Sequence, residues 1–203
     1  MKKLIALMLI AVAGMAFKAA DEGYKVGDTA TDFKLKNVNG KTVALADYKA
    51  AKGYIVVFTC NHCPYAKAYE SRIMDLDKQY AAKGYPVIAI SPNDPVAEPA
   101  DSFENMQKLA AQKGYSFPYL IDETQDITRA YGAKATPHVY VLQKTASGNV
   151  VKYIGAIDDD TQNTNTDKVK YVENAVNALI KGKKPEVTAT KAIGCSIKWK
   201  KSA

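Results

Sequence analysis

Cysteine is scarce in this 203-residue chain: there are three, Cys60, Cys63 and Cys195. That is too few for a disulfide-stapled scaffold, and an odd number leaves one thiol unpaired or pairing only conditionally. Histidine is scarcer, with two, His62 and His138. No apolar run reaches the roughly 20 residues that a transmembrane helix needs. The longest, residues 4–17, follows the basic pair Lys2 and Lys3 and ends in the small residues of Gly14-Met15-Ala16, the pattern of a secretory signal. Residues 1–20 are therefore expected to be a signal peptide, cleaved between positions 16 and 20. The mature protein is expected to be exported, to the periplasm, with no stable membrane insertion. No cysteine directly follows the run, which argues against a lipid anchor. Internal repeats and domain linkers are also missing.

The formal charge is +7, with the excess in the tail at Lys181, Lys183, Lys184, Lys191, Lys198, Lys200 and Lys201. No nucleic-acid-binding motif accompanies it, so these lysines read as a solvated end rather than a nucleic-acid surface. Hydrophobic residues at 47% and charged residues at 24% are ordinary for a globular protein with a buried core. One domain is expected over residues 21–182, followed by a Lys-rich C-terminal extension, 183–203.

Asn39-Gly40 marks a β-hairpin between Phe33-Lys34-Leu35 and Thr42-Val43-Ala44-Leu45. Tyr54 to Thr59 is a short apolar run rich in β-branched residues, the signature of a strand buried on both faces. Apolar residues at Tyr65, Tyr69, Ile73, Leu76 and Tyr80 then keep helical spacing up to Gly84. Strands are expected at Val87 to Ser91 and Tyr119 to Ile121, with a helix through Phe103, Met106 and Leu109 between them. Ile127 to Tyr131 reads as a helical turn. Val139 to Leu142 and Val150 to Ile154 form a hairpin around Gly148, and Val169 to Ile180 is the last amphipathic helix. The alternation predicts an α/β fold: a central mixed, mainly parallel sheet flanked by helices, with an N-terminal β-hairpin and antiparallel strands at its edge.

Cys60-Asn61-His62-Cys63-Pro64 lies between the buried strand and the amphipathic helix. Helix N-termini offer unpaired N–H groups and partial positive charge, so a thiolate at Cys60 is expected to be stabilised and to act as the attacking nucleophile. Cys63, one turn later, is placed to resolve a mixed disulfide. A protonated His62 between them would favour the thiolate further. Pro137 precedes the strand that must lie beside residues 54–59, a position where a cis bond is a fixed structural feature. Thr136 and Pro137 are expected to shape the site. Thr59, His138 and Cys195 are further candidates, Cys195 either as a small buried hydrophobe or as a conditional resolving thiol.

The blocks Phe58-Thr59-Cys60-Asn61-His62-Cys63-Pro64-Tyr65, Thr136-Pro137-His138-Val139-Tyr140-Val141 and Gly194-Cys195-Ser196-Ile197-Lys198-Trp199 resemble the thioredoxin-like redoxins of the peroxiredoxin-like, alkyl-hydroperoxide-reductase/thiol-specific-antioxidant type. The resemblance runs from about residue 24 to 201. It implies a thioredoxin fold, a redox-active Cys60–Cys63 pair, a cis-Pro137 facing it and an antioxidant context. Protein thiols or disulfides and an unidentified redox partner are the expected partners, and no cofactor is expected. Residues 54–59 lack the buried acid of thioredoxin itself, leaving Lys67 and Glu70 as candidates to take the proton of Cys63. A peroxiredoxin-like peroxidase is the alternative, although Lys134 stands where an arginine would polarise a peroxide. A copper or zinc carrier using Cys60, Cys63, His138 and His62 is the second alternative; in the leading reading no residue is assigned to a metal.

Overall fold

A computed structural model describes residues 23–201; the expected signal peptide lies outside the described residues. The strands and helices, in chain order, are β1 (Thr29–Ala30), β2 (Leu35–Asn37), β3 (Thr42–Val43), β4 (Gly53–Phe58), α1 (Pro64–Tyr80), β5 (Val87–Ser91) and α2 (Phe103–Lys113). Then come β6 (Tyr119–Ile121), α3 (Asp126–Tyr131), β7 (Ala135–Thr136), β8 (His138–Thr145), β9 (Gly148–Gly155), α4 (Tyr171–Ile180) and β10 (Cys195–Ser196).

Eight strands form one sheet in the order β1-β9-β8-β4-β5-β6-β2-β3. Among the ladders of the described residues β4–β5 and β5–β6 run parallel, while the β4–β8, β8–β9, β1–β9, β2–β6 and β2–β3 ladders are antiparallel. The sheet is therefore mixed, and the expectation of a mainly parallel one is corrected. Two crossovers supply the parallel pairs, and everything added by a hairpin must run antiparallel. The 39–40 turn joins β2 and β3 as read, and this hairpin closes the edge beside β6.

All six residues of β4 are buried, and their side chains alternate between two cores. Ile55 and Val57 pack with Tyr69, Ile73 and Leu76 of α1, Met106 of α2 and Val172 and Val176 of α4. Tyr54, Val56 and Phe58 face the opposite side, with Leu45, Tyr131 of α3, Tyr140 and Ile197 of the tail. This two-sided burial explains the continuous apolar run. Helix α1 starts at Pro64, whose missing N–H costs nothing in the first turn. After a short 3-10 turn the chain leaves it through Gly84, at φ +92°, a conformation glycine adopts without strain. Tyr65, read as part of the apolar stripe, is exposed, and Val169 precedes α4 instead of opening it. Residues 183–201, which show no period in sequence, return to the sheet. Ile154 N–H donates to Thr188 O, Thr190 N–H donates to Ile154 O, and β10 pairs antiparallel with β7.

Candidate active site

Between the end of β4 and the start of α1 the chain bends through Cys60 to Cys63. Cys63 is the N-cap residue of α1 and fully buried; Cys60 lies three residues ahead of it, nearly buried. The Thr136–Pro137 peptide bond is cis, and the segment faces the cysteines. Cys60 Sγ lies 3.2 Å from the Thr136 hydroxyl, and Cys63 Sγ lies 3.2 Å from the Thr136 carbonyl oxygen. Thr59 follows β4 and, with Cys60, Glu70, Tyr115 and Tyr119, lines a narrow crevice beside the thiol.

The disulfide present joins Cys63 to Cys195, with Cα atoms 5.9 Å apart, and Cys60 is a free thiol. The sequence reading placed the bond between Cys60 and Cys63. The tail accounts for the difference: β10 sets Cys195 directly opposite Thr136, and so against the buried side of Cys63. Gly194 makes this approach possible, because a Cβ there would collide with the Thr136 carbonyl. The reading of Cys195 as a small buried hydrophobe is corrected: it is half-buried and covalently paired.

The electrostatics of Cys60 also run against expectation. Its thiol is pushed up to about 11, first by burial and second by the charge of Asp101. The Thr136 hydroxyl and the backbone N–H groups of Cys63 and His62 pull the other way and are outweighed. Asp101, fully buried, ends the 3-10 turn 99–101 and caps the cysteine loop from outside. Its Oδ1 accepts from Asn61 N–H at 2.8 Å and His62 N–H at 3.0 Å, so donors available to a thiolate serve a carboxylate. Its Oδ2 lies 2.6 Å from His62 Nδ1 and accepts from Asn93 Nδ2 at 2.6 Å. His62 is between carboxylates, with Nε2 3.7 Å from Glu98 Oε2 on the side away from Asp101, and its Nδ1 is also 3.6 Å from Cys60 Sγ.

Asn93 also holds the tail, its Oδ1 accepting from Lys198 N–H at 2.9 Å. Gln125 Nε2 donates to Lys198 O, and Gln125 Oε1 accepts from Lys200 N–H. One asparagine thus bridges the Asp101–His62 pair and the tail segment that follows β10.

Other candidates lie elsewhere. His138 sits on the α3 side of the sheet, packs on Tyr140 and accepts from Lys134 N–H, and burial lowers its pKa to about 4. Its ring nitrogen is thus engaged with the backbone of Lys134. Glu70 accepts from the Tyr115 hydroxyl and pairs with Lys113, so it is engaged away from Cys63. Sequence reasoning missed Asp101 and Asn93. Asp101 approaches the loop from about 40 residues away in the chain and Asn93 reaches it through Asp101, and no local pattern marks a buried acid that meets its partners only in the folded state.

Residues 26–153 match the AhpC/TSA family model. The thiol-disulfide oxidoreductase ResA of Geobacillus thermodenitrificans is 28% identical over 158 residues, covering 76% of this chain and 85% of that protein. The putative peroxiredoxin MT2597 of Mycobacterium tuberculosis is 28% identical over 134 residues, covering 66% of this chain and 78% of that protein. The crystal structure of an uncharacterized conserved protein from Geobacillus kaustophilus aligns with a TM-score of 0.80 at 38% identity, over 88% of this chain and 94% of that one. The fold is the thioredoxin fold, with the mixed sheet flanked by helices.

Proposed function

The chain belongs to the AhpC/TSA family, and we propose that it works as an exported thiol–disulfide oxidoreductase in which Cys63 is the sulfur shared by two alternative disulfides, with Cys60 and with Cys195. The observation that carries this reading is the cluster itself. A free Cys60 lies with Cys63 and Cys195 in one packed group, and Thr136 reaches both loop sulfurs.

With Cys60–Cys63 closed, a substrate thiolate attacks Cys60 Sγ and Cys63 leaves as a thiolate. A second substrate thiolate then attacks the substrate sulfur of the mixed disulfide, giving a substrate disulfide, and the Cys60 and Cys63 thiolates take up the two protons that the substrate thiols released. Two electrons pass from substrate to the protein, and the reverse sequence reduces a substrate disulfide. The tail joins by internal exchange. Cys60, once deprotonated, attacks Cys63 Sγ of the Cys63–Cys195 bond; Cys60–Cys63 forms, and Cys195 leaves and takes up the proton. Electrons stay on sulfur throughout, so the reaction as written needs no cofactor. Protein thiols and disulfides are the proposed substrates, in keeping with the name of the ResA relative. The basic start and apolar run of residues 2–17 support export to the periplasm.

A peroxidase reading would need a cation at Cys60 to polarise the peroxide. Arg72 is bonded to Asp158, and Arg129 lies over the Trp199 ring. A disulfide-exchange assay on a model protein disulfide, with parallel peroxide consumption, tests the proposal. Cys60→Ser and Cys63→Ser are expected to lower exchange about 100-fold or more, while Cys195→Ser keeps turnover. Exchange undiminished in Cys60→Ser, or peroxide consumption exceeding exchange, would overturn it.

A further inference from the structure

Three side chains of different ligand chemistry converge at the loop. Cys60 Sγ, His62 Nδ1 and an Asp101 carboxylate oxygen all lie within 4.8 Å of one another. In a tetrahedral zinc site, with Zn–S about 2.3 Å and Zn–N or Zn–O about 2.0–2.2 Å, neighbouring donors are roughly 3.3–3.6 Å apart. Cys60 Sγ and His62 Nδ1 already stand at 3.6 Å. His62 Nδ1 and Asp101 Oδ2, at 2.6 Å, must open by about 0.7 Å to admit an ion.

The surroundings are those of a supported site. Metal-bound imidazoles commonly give their other ring N–H to a carboxylate, and Glu98 Oε2 lies 3.7 Å from His62 Nε2. The Asp101 carboxylate is oriented by Asn61 N–H, His62 N–H and Asn93 Nδ2. Two carboxylates therefore crowd a thiol and an imidazole in a mostly buried corner, and a cation placed among them would be drawn to all of these groups.

We infer that Cys60, His62 and Asp101 form a site for a divalent metal ion of the zinc class, available whenever Cys60 is outside a disulfide. One sulfur, one nitrogen and one oxygen suit a borderline ion; copper(I) favours sulfur-rich sets, and magnesium or calcium all-oxygen ones. The donors differ from those expected from sequence, because Cys63 is bonded to Cys195 and His138 Nδ1 accepts from Lys134 N–H. His62 is partly exposed, so a fourth position is open to water. On binding, Cys60 gives its proton to the buffer as the sulfur–metal bond forms, and metal and a Cys60 disulfide exclude one another. Binding requires only a free Cys60, not the disulfide exchange proposed above.

The test uses the folded protein with Cys63–Cys195 closed beside the Cys63→Ser/Cys195→Ser variant, in which Cys60 is the one cysteine and internal exchange cannot occupy it. Cobalt(II) is titrated as a spectroscopic probe, and zinc(II) is then added in competition. The expected result is one-to-one binding with a sulfur-to-cobalt charge-transfer band and the visible bands of a tetrahedral ion, displaced by zinc. Cys60→Ser should remove the charge-transfer band, and His62→Gln should weaken binding about 10-fold or more. Because Asp101 is buried, His62→Gln, checked for native circular dichroism, carries the decision if Asp101→Asn fails to fold. No thiolate–cobalt band in either the folded wild type or the folded Cys63→Ser/Cys195→Ser variant, or unchanged affinity in folded His62→Gln, would overturn the site.

Discussion

Cys60 lies where opposing influences meet. Its position just ahead of a helix favours a thiolate, and the N–H groups of His62 and Cys63 act in that sense. Burial and the Asp101 charge act against it and prevail. Asp101→Asn keeps an oxygen to accept the loop N–H groups and removes the charge. The alkylation midpoint of Cys60 is therefore expected to fall from about 11 toward the ordinary thiol value of about 8.5, measured by iodoacetamide rate against pH. An unchanged midpoint would mean that burial alone sets it. His138 makes a second residue-scale case. Folded, it titrates near 4; unfolded, near 6.5. Between these values the unfolded chain holds the extra proton, so stability is lost as pH falls from about 6.5 to 4, by up to about 3 kcal/mol. His138→Phe should flatten that loss in urea titrations at pH 7 and pH 4. At this scale the place of the cysteine loop was legible, because two cysteines between a buried strand and an amphipathic helix form a local pattern. The sign of its electrostatics was not, because Asp101 reaches the loop only through tertiary structure.

Among elements, the longer ones and the 39–40 hairpin were readable, and the two-residue strands β7 and β10 were not. Strand β4 is announced by an unbroken apolar run because both of its faces are covered, and α1 by the spacing of Tyr69, Ile73, Leu76 and Tyr80. Strand β10 shows no hydrophobic period in the Lys-rich tail, since a short ladder needs none. Its sequence mark is Gly194, which lets the tail backbone reach Thr136. Gly194→Ala is expected to unseat β10. The fraction of Cys63–Cys195 disulfide, counted by alkylation and peptide mass, should then fall severalfold with the core intact by circular dichroism. A fraction equal to wild type would show that the tail docks without this close approach.

At the level of the whole molecule, the Cys63–Cys195 bond closes a loop spanning 132 positions and ties the last element to the first helix. Removing so long a loop from the unfolded ensemble stabilises the folded state by about 2–4 kcal/mol. Cys195→Ser should lose that much relative to the bonded wild type in denaturant titrations, and the loss should vanish when both are reduced. The tail is held independently at Ile197, which packs in the second core, and at Lys198, which Asn93 and Gln125 grip. Opening the disulfide therefore frees Cys63 without releasing the whole tail, which is what a sulfur that alternates between two partners requires.

That alternation is tested most directly by trapping. The mature protein is equilibrated in glutathione buffers, quenched in acid, alkylated and mapped by mass. The account predicts two exclusive species, one with Cys60–Cys63 and one with Cys63–Cys195, interconverting without added oxidant, with Cys63 in both. A protein in which Cys60 never enters a disulfide with Cys63 under any poise would contradict it.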